Sequence, residues 1–230
     1  MRRVREPELM DDPAVDHGLH RHALQALRQT NRWLQIDQRL VREIGRLMPA
    51  AREQRATLLE IGTGAGGLLA LSAERLPGDW VRIGLDRSRF ALSQAREQLR
   101  GIAGSALIAG DAANLPFRDR SVDVVVCSLL LHHFDPTGAV ALLYEAARVC
   151  RRGVVVCDLT RGYLPWVLTW LVTHVVSRSP LFHVDGPRSV RAAYLQSEAL
   201  SLAHAAGLQR AKVVRVFPFR WMMVWRRESS

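Results

Sequence analysis

Lysine is nearly missing from this chain: Lys212 is the only one among 32 basic residues, and the rest are arginines. Against 22 acidic residues they leave a net charge of +10. A nucleic-acid footprint concentrates such charge on one face, with aromatics interleaved. Here the arginines are spread out, and tight clusters occur only at Arg2-Arg3-Val4-Arg5, Arg151-Arg152 and Arg226-Arg227. That spread argues against a nucleic-acid partner. Cysteine is scarce as well. Cys127, Cys150 and Cys157 are an odd number, each in or beside an apolar run and none at metal-ligand spacing. A disulfide framework or a zinc site does not fit them, so buried reduced thiols and no bound metal are expected. Long apolar runs are lacking too. The longest, Leu164 to Val176, falls short of the ~20 residues a spanning helix needs. A transmembrane protein is thereby excluded, while an apolar lid or a peripheral membrane contact is not. No apolar stretch follows Met1-Arg2-Arg3-Val4-Arg5-Glu6-Pro7, so no secretory signal is expected and a cytoplasmic location is.

Present instead is an ordinary globular composition, 48% apolar and 23% charged over 230 residues. No repeats or low-complexity tracts interrupt it, so one domain over 1–230 is expected. Residues 1–18 are polar, carry Pro7 and Pro13, and read as an arm that packs late or frays. From Leu19 to Met48, apolar positions such as Leu24, Leu27, Leu34, Leu40, Ile44 and Leu47 recur at helical spacing, and Pro49 is a stop signal.

Beyond this point short buried strands alternate with amphipathic helices. Strands are predicted at Thr57–Ile61, Trp80–Leu85, Ala106–Ala109, Val122–Cys127 and Val154–Cys157. The β-branched run Val122–Cys127 suits a strand covered on both faces. Ser88 caps a helix running to about Arg100. Asp135-Pro136 supplies an N-cap with proline at the first helical position, for a helix to about Cys150. Such alternation implies a parallel sheet with crossover helices on both faces. The end differs. After a helix from Ser197 to Ala206, the runs Ala211–Phe217 and Phe219–Trp225 are separated only by Pro218, too little for a crossover, so they pair antiparallel.

The most informative segment is Leu58-Leu59-Glu60-Ile61-Gly62-Thr63-Gly64-Ala65-Gly66-Gly67. A glycine-rich turn leaving a parallel strand lets a ligand approach the backbone where side chains would collide. Gly62, Gly64 and Gly67 also satisfy the dinucleotide pattern G-x-G-x-x-G, so an NAD enzyme is one reading. Glu60 favours another. A carboxylate inside the strand is costly to desolvate and suits a cationic ligand better than a pyrophosphate. Asp86 ends the second strand, where an acidic residue holds ribose hydroxyls in either case. Gly110-Asp111-Ala112 follows the third strand, where a side-chain acceptor can meet an adenine amino group.

Glu60-x-Gly62-x-Gly64-x-Gly66, Asp86, Gly110-Asp111-Ala112 before Leu115-Pro116-Phe117, and Asp123-Val124-Val125-Val126 ahead of Leu131-His132-His133 together resemble class I S-adenosylmethionine-dependent methyltransferases. The resemblance is to the small-molecule branch that includes ubiquinone- and menaquinone-biosynthesis enzymes, and it covers about residues 55–160 and the terminal strand pair. It implies an α/β Rossmann-like, mostly parallel sheet of seven strands in the order 3-2-1-4-5-7-6, strand 7 antiparallel, with helices on both faces. By position, Glu60, Gly62, Thr63, Gly64 and Gly66 would line the methionine end of S-adenosylmethionine. Asp86 would bind the ribose hydroxyls, with Arg87 beside it in the cofactor-binding set. Asp111 and Ala112 would contact adenine, and Ser128 would sit below the cofactor. The chain then divides into an arm and helices (1–50), a cofactor-binding core (55–160), an acceptor-pocket or lid insert (160–195), and a last helix with the antiparallel strand pair (196–230).

Methyl transfer from a sulfonium is an in-line displacement that needs chiefly alignment, at about 3–3.5 Å. A phenolic acceptor must also lose a proton. With a pKa of ~10 it is about three units from ionised at pH 7, roughly 4 kcal/mol. Histidine, ordinarily near 6.5, suits that task. His132 and His133 lie just beyond strand four, at the carboxyl edge where open α/β sheets bind substrates. Asp158, ending strand five, can orient or share the base. Similar methyltransferases place a histidine and a carboxylate at these positions. Between Thr160 and Tyr194 the insert offers Tyr163, Trp166, Trp170, Leu181, Phe182 and His183 as an aromatic pocket or as a helix hairpin covering the sheet. It faintly resembles methyltransferases found beside polyketide-synthase systems. Pro180 to Pro187 read as turn chemistry, His183 with Asp185 as a reserve acid/base pair, and Pro187-Arg188-Ser189-Val190-Arg191 as a solvated helix start or an acceptor-binding segment.

The leading expectation is methyl transfer to a lipophilic aromatic or polyketide-like molecule of secondary metabolism, on oxygen before carbon. C-methylation of a quinol-type acceptor needs the same base. RNA methylation fits less well, because Ser128-Leu129-Leu130-Leu131 stands where amino-methylating enzymes carry Asn/Asp-Pro-Pro-aromatic, and Cys127 lacks a proline-cysteine arrangement. A non-catalytic cofactor-binding partner protein is the remaining alternative.

Overall fold

The structure, a computed structural model, describes residues 1–12, 14–48 and 55–228. Strands β1 (Ala56–Ile61), β2 (Trp80–Asp86), β3 (Ser105–Ala109), β4 (Val122–Ser128), β5 (Cys150–Leu159), β6 (Lys212–Val216) and β7 (Arg220–Arg226) form one sheet. Their order is β3-β2-β1-β4-β5-β7-β6. The first five pair in parallel, and β7 runs antiparallel to both β5 and β6. This is the sheet the resemblance implied.

Successive strand residues point to opposite faces, which explains the β-branched runs. Val124, Val126, Val155 and Cys157 face one way, packed with Leu58 against helices α2 (Ile36–Leu47) and α3 (Gly67–Arg75). Val125, Cys127, Val154 and Val156 face the other, against α5 (Pro136–Val149) and α8 (Gln196–Ala205). Burying each such side chain contributes roughly 1.5–3 kcal/mol. Helix α4 (Arg89–Gln98) covers β2 and β3. Its cap is the one read from sequence: Ser88 Oγ accepts the Ala91 N–H at 3.2 Å. Asp135 likewise accepts the Gly138 N–H at 2.8 Å, with Pro136 in the first turn. The three cysteines are free and buried.

The helices expected before the sheet are α1 (His17–Trp33) and α2, divided at Gln35, whose φ is 54°; two other expectations need correction. Pro49, the expected stop, and Pro13 lie outside the described residues. The span from Pro180 to Pro187 is no turn, and Pro187 to Arg191 no helix start; both belong to α7 (Pro180–Ala192), which pairs with α6 (Tyr163–Val176). Pro180 tolerates the first turn. Pro187 sits inside the helix because packing overrides propensity: Asp185, Pro187, Ser189 and Val190 are buried, and a Cβ on Gly186 would lie 2.7 Å from Thr173.

The N-terminal arm does not fray. Arg3 donates from Nε to Ala192 O at 2.6 Å and from Nη2 to Phe134 O at 2.7 Å, and its guanidinium lies 3.9 Å from the centre of the Tyr194 ring. Arg188 and Arg191 of α7 reach Glu6 of the arm at 3.2 and 3.0 Å. Composition shows a polar segment; its ionic and carbonyl partners come from residues remote in sequence.

Candidate active site

At the carboxyl ends of β1, β2, β4 and β5 the sheet opens into a cavity of about 1740 Å³. One wall is formed by the glycine loop. Gly62 and Gly64 have φ of 72° and 51°, which side chains rarely adopt, and a Cβ on Gly64 would meet nothing within 4 Å. The loop is tied to β2 by the Gly62 and Thr63 N–H groups donating to Leu85 O at 2.8 and 3.1 Å. Asp86 is fixed at its lip, accepting from Gly64 N at 2.9 Å and from Ser88 N at 2.9 Å.

Behind the loop lies Glu60, only 4% exposed, accepting from Thr63 Oγ1 at 2.7 Å. Burial pushes its carboxyl well above the ordinary range, and the negative charges of Asp37 and Asp86 push it further. Burial also raises Asp37, opposed by Arg220. Carboxyls crowded in this way are relieved by a cation. Asp37, on the first turn of α2, was not legible in the sequence.

Arg87, Asp111, Ala112 and Ser128 line the same cavity as Glu60, Gly62, Thr63, Gly64 and Asp86. Asp111 accepts from Ala113 N at 2.9 Å, which shapes the turn carrying Ala112. Ser128 Oγ is buried without a hydrogen-bond partner among the described residues. Gly66 alone of the expected set turns away: its φ is 74°, and a Cβ there would press on Ala95 at 3.2 Å. It shapes the loop rather than lining the cavity.

The same cavity is lined by the histidines, on the turn Leu131–His133. Asp158 grips His132 twice, accepting the ring Nδ1–H at 2.7 Å and the backbone N–H at 3.1 Å. His132 Nε2 faces Glu8 Oε1 at 3.3 Å, and His133 Nε2 lies 3.7 Å from Glu8 Oε2. The two imidazoles stack with centroids 4.4 Å apart. Burial alone would lower His132, but the carboxylates of Asp158 and Glu8 outweigh it and push the imidazole up to about 10. Burial opposes ionisation of Asp158 and Glu8 as well, yet the His132 charge and hydrogen bonds hold both below the ordinary carboxylate range. His132 is thus an imidazolium between two carboxylates. Glu8 is the functional residue that sequence reasoning missed, since nothing in the arm's spacing marks it.

The donor atoms of Glu8, His132 and His133 lie within 4.8 Å of one another, as metal ligands would. The same three groups also stand close enough to share protons. The reserve pair does not form: His183 Nε2 meets Ser177 O at 2.6 Å, while Asp185 accepts from Leu9 N and Met10 N at 2.8 and 3.0 Å. The aromatic pocket is also corrected. Of its six candidates only Phe182 lines the cavity, whose α6 wall is Leu168, Thr169, Val172, Thr173 and Val176. Tyr163 is 74% exposed. Helix α6 is apolar all round, so its sequence does not say which face turns inward.

This sheet order, with an acidic glycine loop after β1, defines the Rossmann-like methyltransferase class. A solved S-adenosylmethionine-dependent methyltransferase from Aquifex aeolicus shares the fold with a TM-score of 0.67, at 16% identity over 92% of this chain and 98% of that one. Residues 58–153 match the family model described as a methyltransferase domain. The demethylmenaquinone methyltransferase of Roseiflexus castenholzii is 31% identical over 163 residues, covering 65% of this chain and 66% of that protein. The malonyl-[acyl-carrier protein] O-methyltransferase of Marinomonas sp. is 33% identical over 114 residues, 49% of this chain and 41% of that protein. The aligned stretches thus span under two thirds of these relatives' own lengths. Over residues 58–153 the chain is therefore similar to methyltransferase domains, and S-adenosylmethionine is the cofactor named for its solved Aquifex relative. The residues present fit that group: an acidic recess for a cation, an open backbone at Gly64, and an unpartnered Ser128 hydroxyl.

Proposed function

We propose that this protein methylates a hydroxyl of a lipophilic phenolic or polyketide-like small molecule. The observation that carries this reading is one cavity joining the glycine loop, His132 with Asp158 behind it, and an apolar wall of Leu168, Val172 and Val176 from α6 and Phe182 from α7. Glu60, Gly62, Thr63 and Gly64 would hold the methionine end of the cofactor. Asp86 and Arg87 would hold the ribose, Asp111 and Ala112 the adenine, with Ser128 beneath. When bound, S-adenosylmethionine supplies an electrophilic methyl group on a positively charged sulfur. Asp158 fixes the His132 ring so that Nε2 meets Glu8 at the cavity wall, and His133 stacks beside it. The apolar wall favours an acceptor with a long apolar portion and excludes water from the hydroxyl being deprotonated. The relatives support small-molecule chemistry, one being named for demethylmenaquinone and the other for O-methylation.

C-methylation of a quinol-type ring is the second reading, favoured by the 31% identity to the demethylmenaquinone enzyme. Both are tested by incubating the protein with methyl-labelled S-adenosylmethionine and phenols bearing long alkyl or prenyl tails, then fragmenting the products by mass spectrometry. Label on oxygen is expected. Label on a ring carbon selects the second reading, and label confined to added RNA overturns both. His132→Gln and Asp158→Asn are each expected to lower kcat about 100-fold or more, the usual contribution of general acid–base catalysis, with cofactor binding retained.

A further inference from the structure

The N-terminal arm lies across the acid/base part of the cavity and is fastened on both sides. Val4 N donates to Arg191 O at 3.1 Å, and Leu9 N and Met10 N donate to Asp185. Arg3 and Arg5 cap the carbonyls of His132 and His133 at 3.2 and 3.0 Å. The arm is therefore bound to α7 and to the very turn that carries the histidines. It places Glu8, only 8% exposed, against His132 Nε2, with the Ser189 hydroxyl also donating to Glu8 Oε1. Asp158 occupies Nδ1, so Nε2 is the one ring nitrogen left to meet an acceptor. Glu8 stands on that nitrogen.

We propose that Glu8 is the third member of the proton path, and that the acceptor's weakly acidic hydroxyl, a phenol or an enol, binds beside the contact of the Glu8 carboxylate with His132 Nε2, within reach of both. This deepens the methyl-transfer reading and rests on it. In the resulting step the hydroxyl proton moves to the Glu8 carboxylate while the His132 Nε2–H donates to the acceptor oxygen. That oxygen forms its new bond to the methyl carbon, the carbon–sulfur bond of the donor breaks, and His132 keeps its proton. Glu8 then releases its proton to water. One proton leaves per turnover, matching the positive charge lost from sulfur. A buried imidazolium is a poor base near neutral pH. The carboxylate beside it takes the hydroxyl proton instead, and the imidazolium charge stabilises the oxyanion.

The groups facing His132 are Asp158 from β5, Glu8 from the arm and His133 on its own turn. Beyond them stand Arg3 and Arg5 on the turn's carbonyls, Ser189 and Asp185 of α7 on the arm, and Cys127 beside Asp158. The test is an NMR titration of the His132 ring in the full chain without added ligand, assigned with His132→Gln. It is joined to the pH profile of kcat at saturating cofactor and to S-adenosylhomocysteine calorimetry. Glu8→Gln is expected to shift the His132 titration down by at least one pH unit and to lower kcat at least tenfold. Glu8→Asp recovers part of both, and S-adenosylhomocysteine affinity stays as in wild type. An unmoved titration overturns the proposal, as does a moved titration with unchanged kcat. Should Glu8→Gln not fold, Asp185→Asn loosens the arm while keeping the carboxylate. It is expected to shift His132 in the same direction by less, and no shift overturns the proposal. Failure of wild-type protein to bind S-adenosylhomocysteine would instead defeat the methyl-transfer reading, which the His132 titration in ligand-free protein reports independently.

Discussion

At the scale of single residues, two buried clusters of charged groups, around Glu60 and around His132, border one cavity. Around Glu60 the carboxyls of Asp37 and Asp86 raise the proton affinity of a group already short of water. Binding of a cationic ligand there should expel a proton. Calorimetry of S-adenosylmethionine in buffers of different ionisation enthalpy is expected to show proton release at a pH just above the ordinary carboxyl range, and Glu60→Gln to abolish it; equal enthalpies in all buffers would remove Glu60 from that role. Around His132 the sign is opposite. Its folded pKa of about 10 lies above the ordinary 6.5, so its contribution to stability is complete below pH 6.5 and is lost as pH rises through 10. Glu8 and Asp158 are depressed from 4.5 and 3.8, so their contribution is lost as pH falls below those values. The melting temperature of wild type relative to His132→Gln should therefore be highest between about pH 4.5 and 6.5 and decline toward pH 10. A constant difference would contradict the buried imidazolium. Asp158 beside a histidine was readable from strand ends alone. Glu8 was not, because the arm's path is set by contacts with α7 that leave no local pattern.

Secondary elements were legible where a local rule fixes them. Ser88 and Asp135 cap as their residue types dictate, and the β-branched run of β4 is buried on both faces. Helix α7 was not, since its two prolines and Gly186 signal a turn that packing against Thr173 overrides. Helix α6 carries a consequence of its own. Tyr163, Leu164, Val167, Leu171 and Val175 are exposed on it while its other face lines the cavity. We propose that this face meets a lipid surface from which a lipophilic acceptor enters, the chain's net charge of +10 favouring an anionic one. Among the described residues no helix is long and apolar enough to cross a membrane, so the contact would be peripheral. Flotation with phosphatidylglycerol vesicles should carry the protein upward, and Leu164→Asp with Val175→Asp should abolish this. Wild type left at the bottom of the gradient would exclude a lipid surface as the partner.

For the whole molecule, the parallel order on either side of β1 places the cavity where neighbouring crossovers diverge, the usual site in open α/β sheets. Alternating strands and helices announced that arrangement, and the terminal strand pair announced the antiparallel β7. Which aromatic side chains face inward was hidden, because apolar composition is the same on both faces of α6. The central claim is that the acidic glycine loop and Asp86 hold an adenosyl sulfur compound beside the histidine turn. Calorimetry with S-adenosylhomocysteine tests it most directly. The account predicts one site per chain, binding at least tenfold weaker in Asp86→Ala, and no heat with NAD; an unchanged dissociation constant in that variant, or saturable binding of NAD, would contradict it.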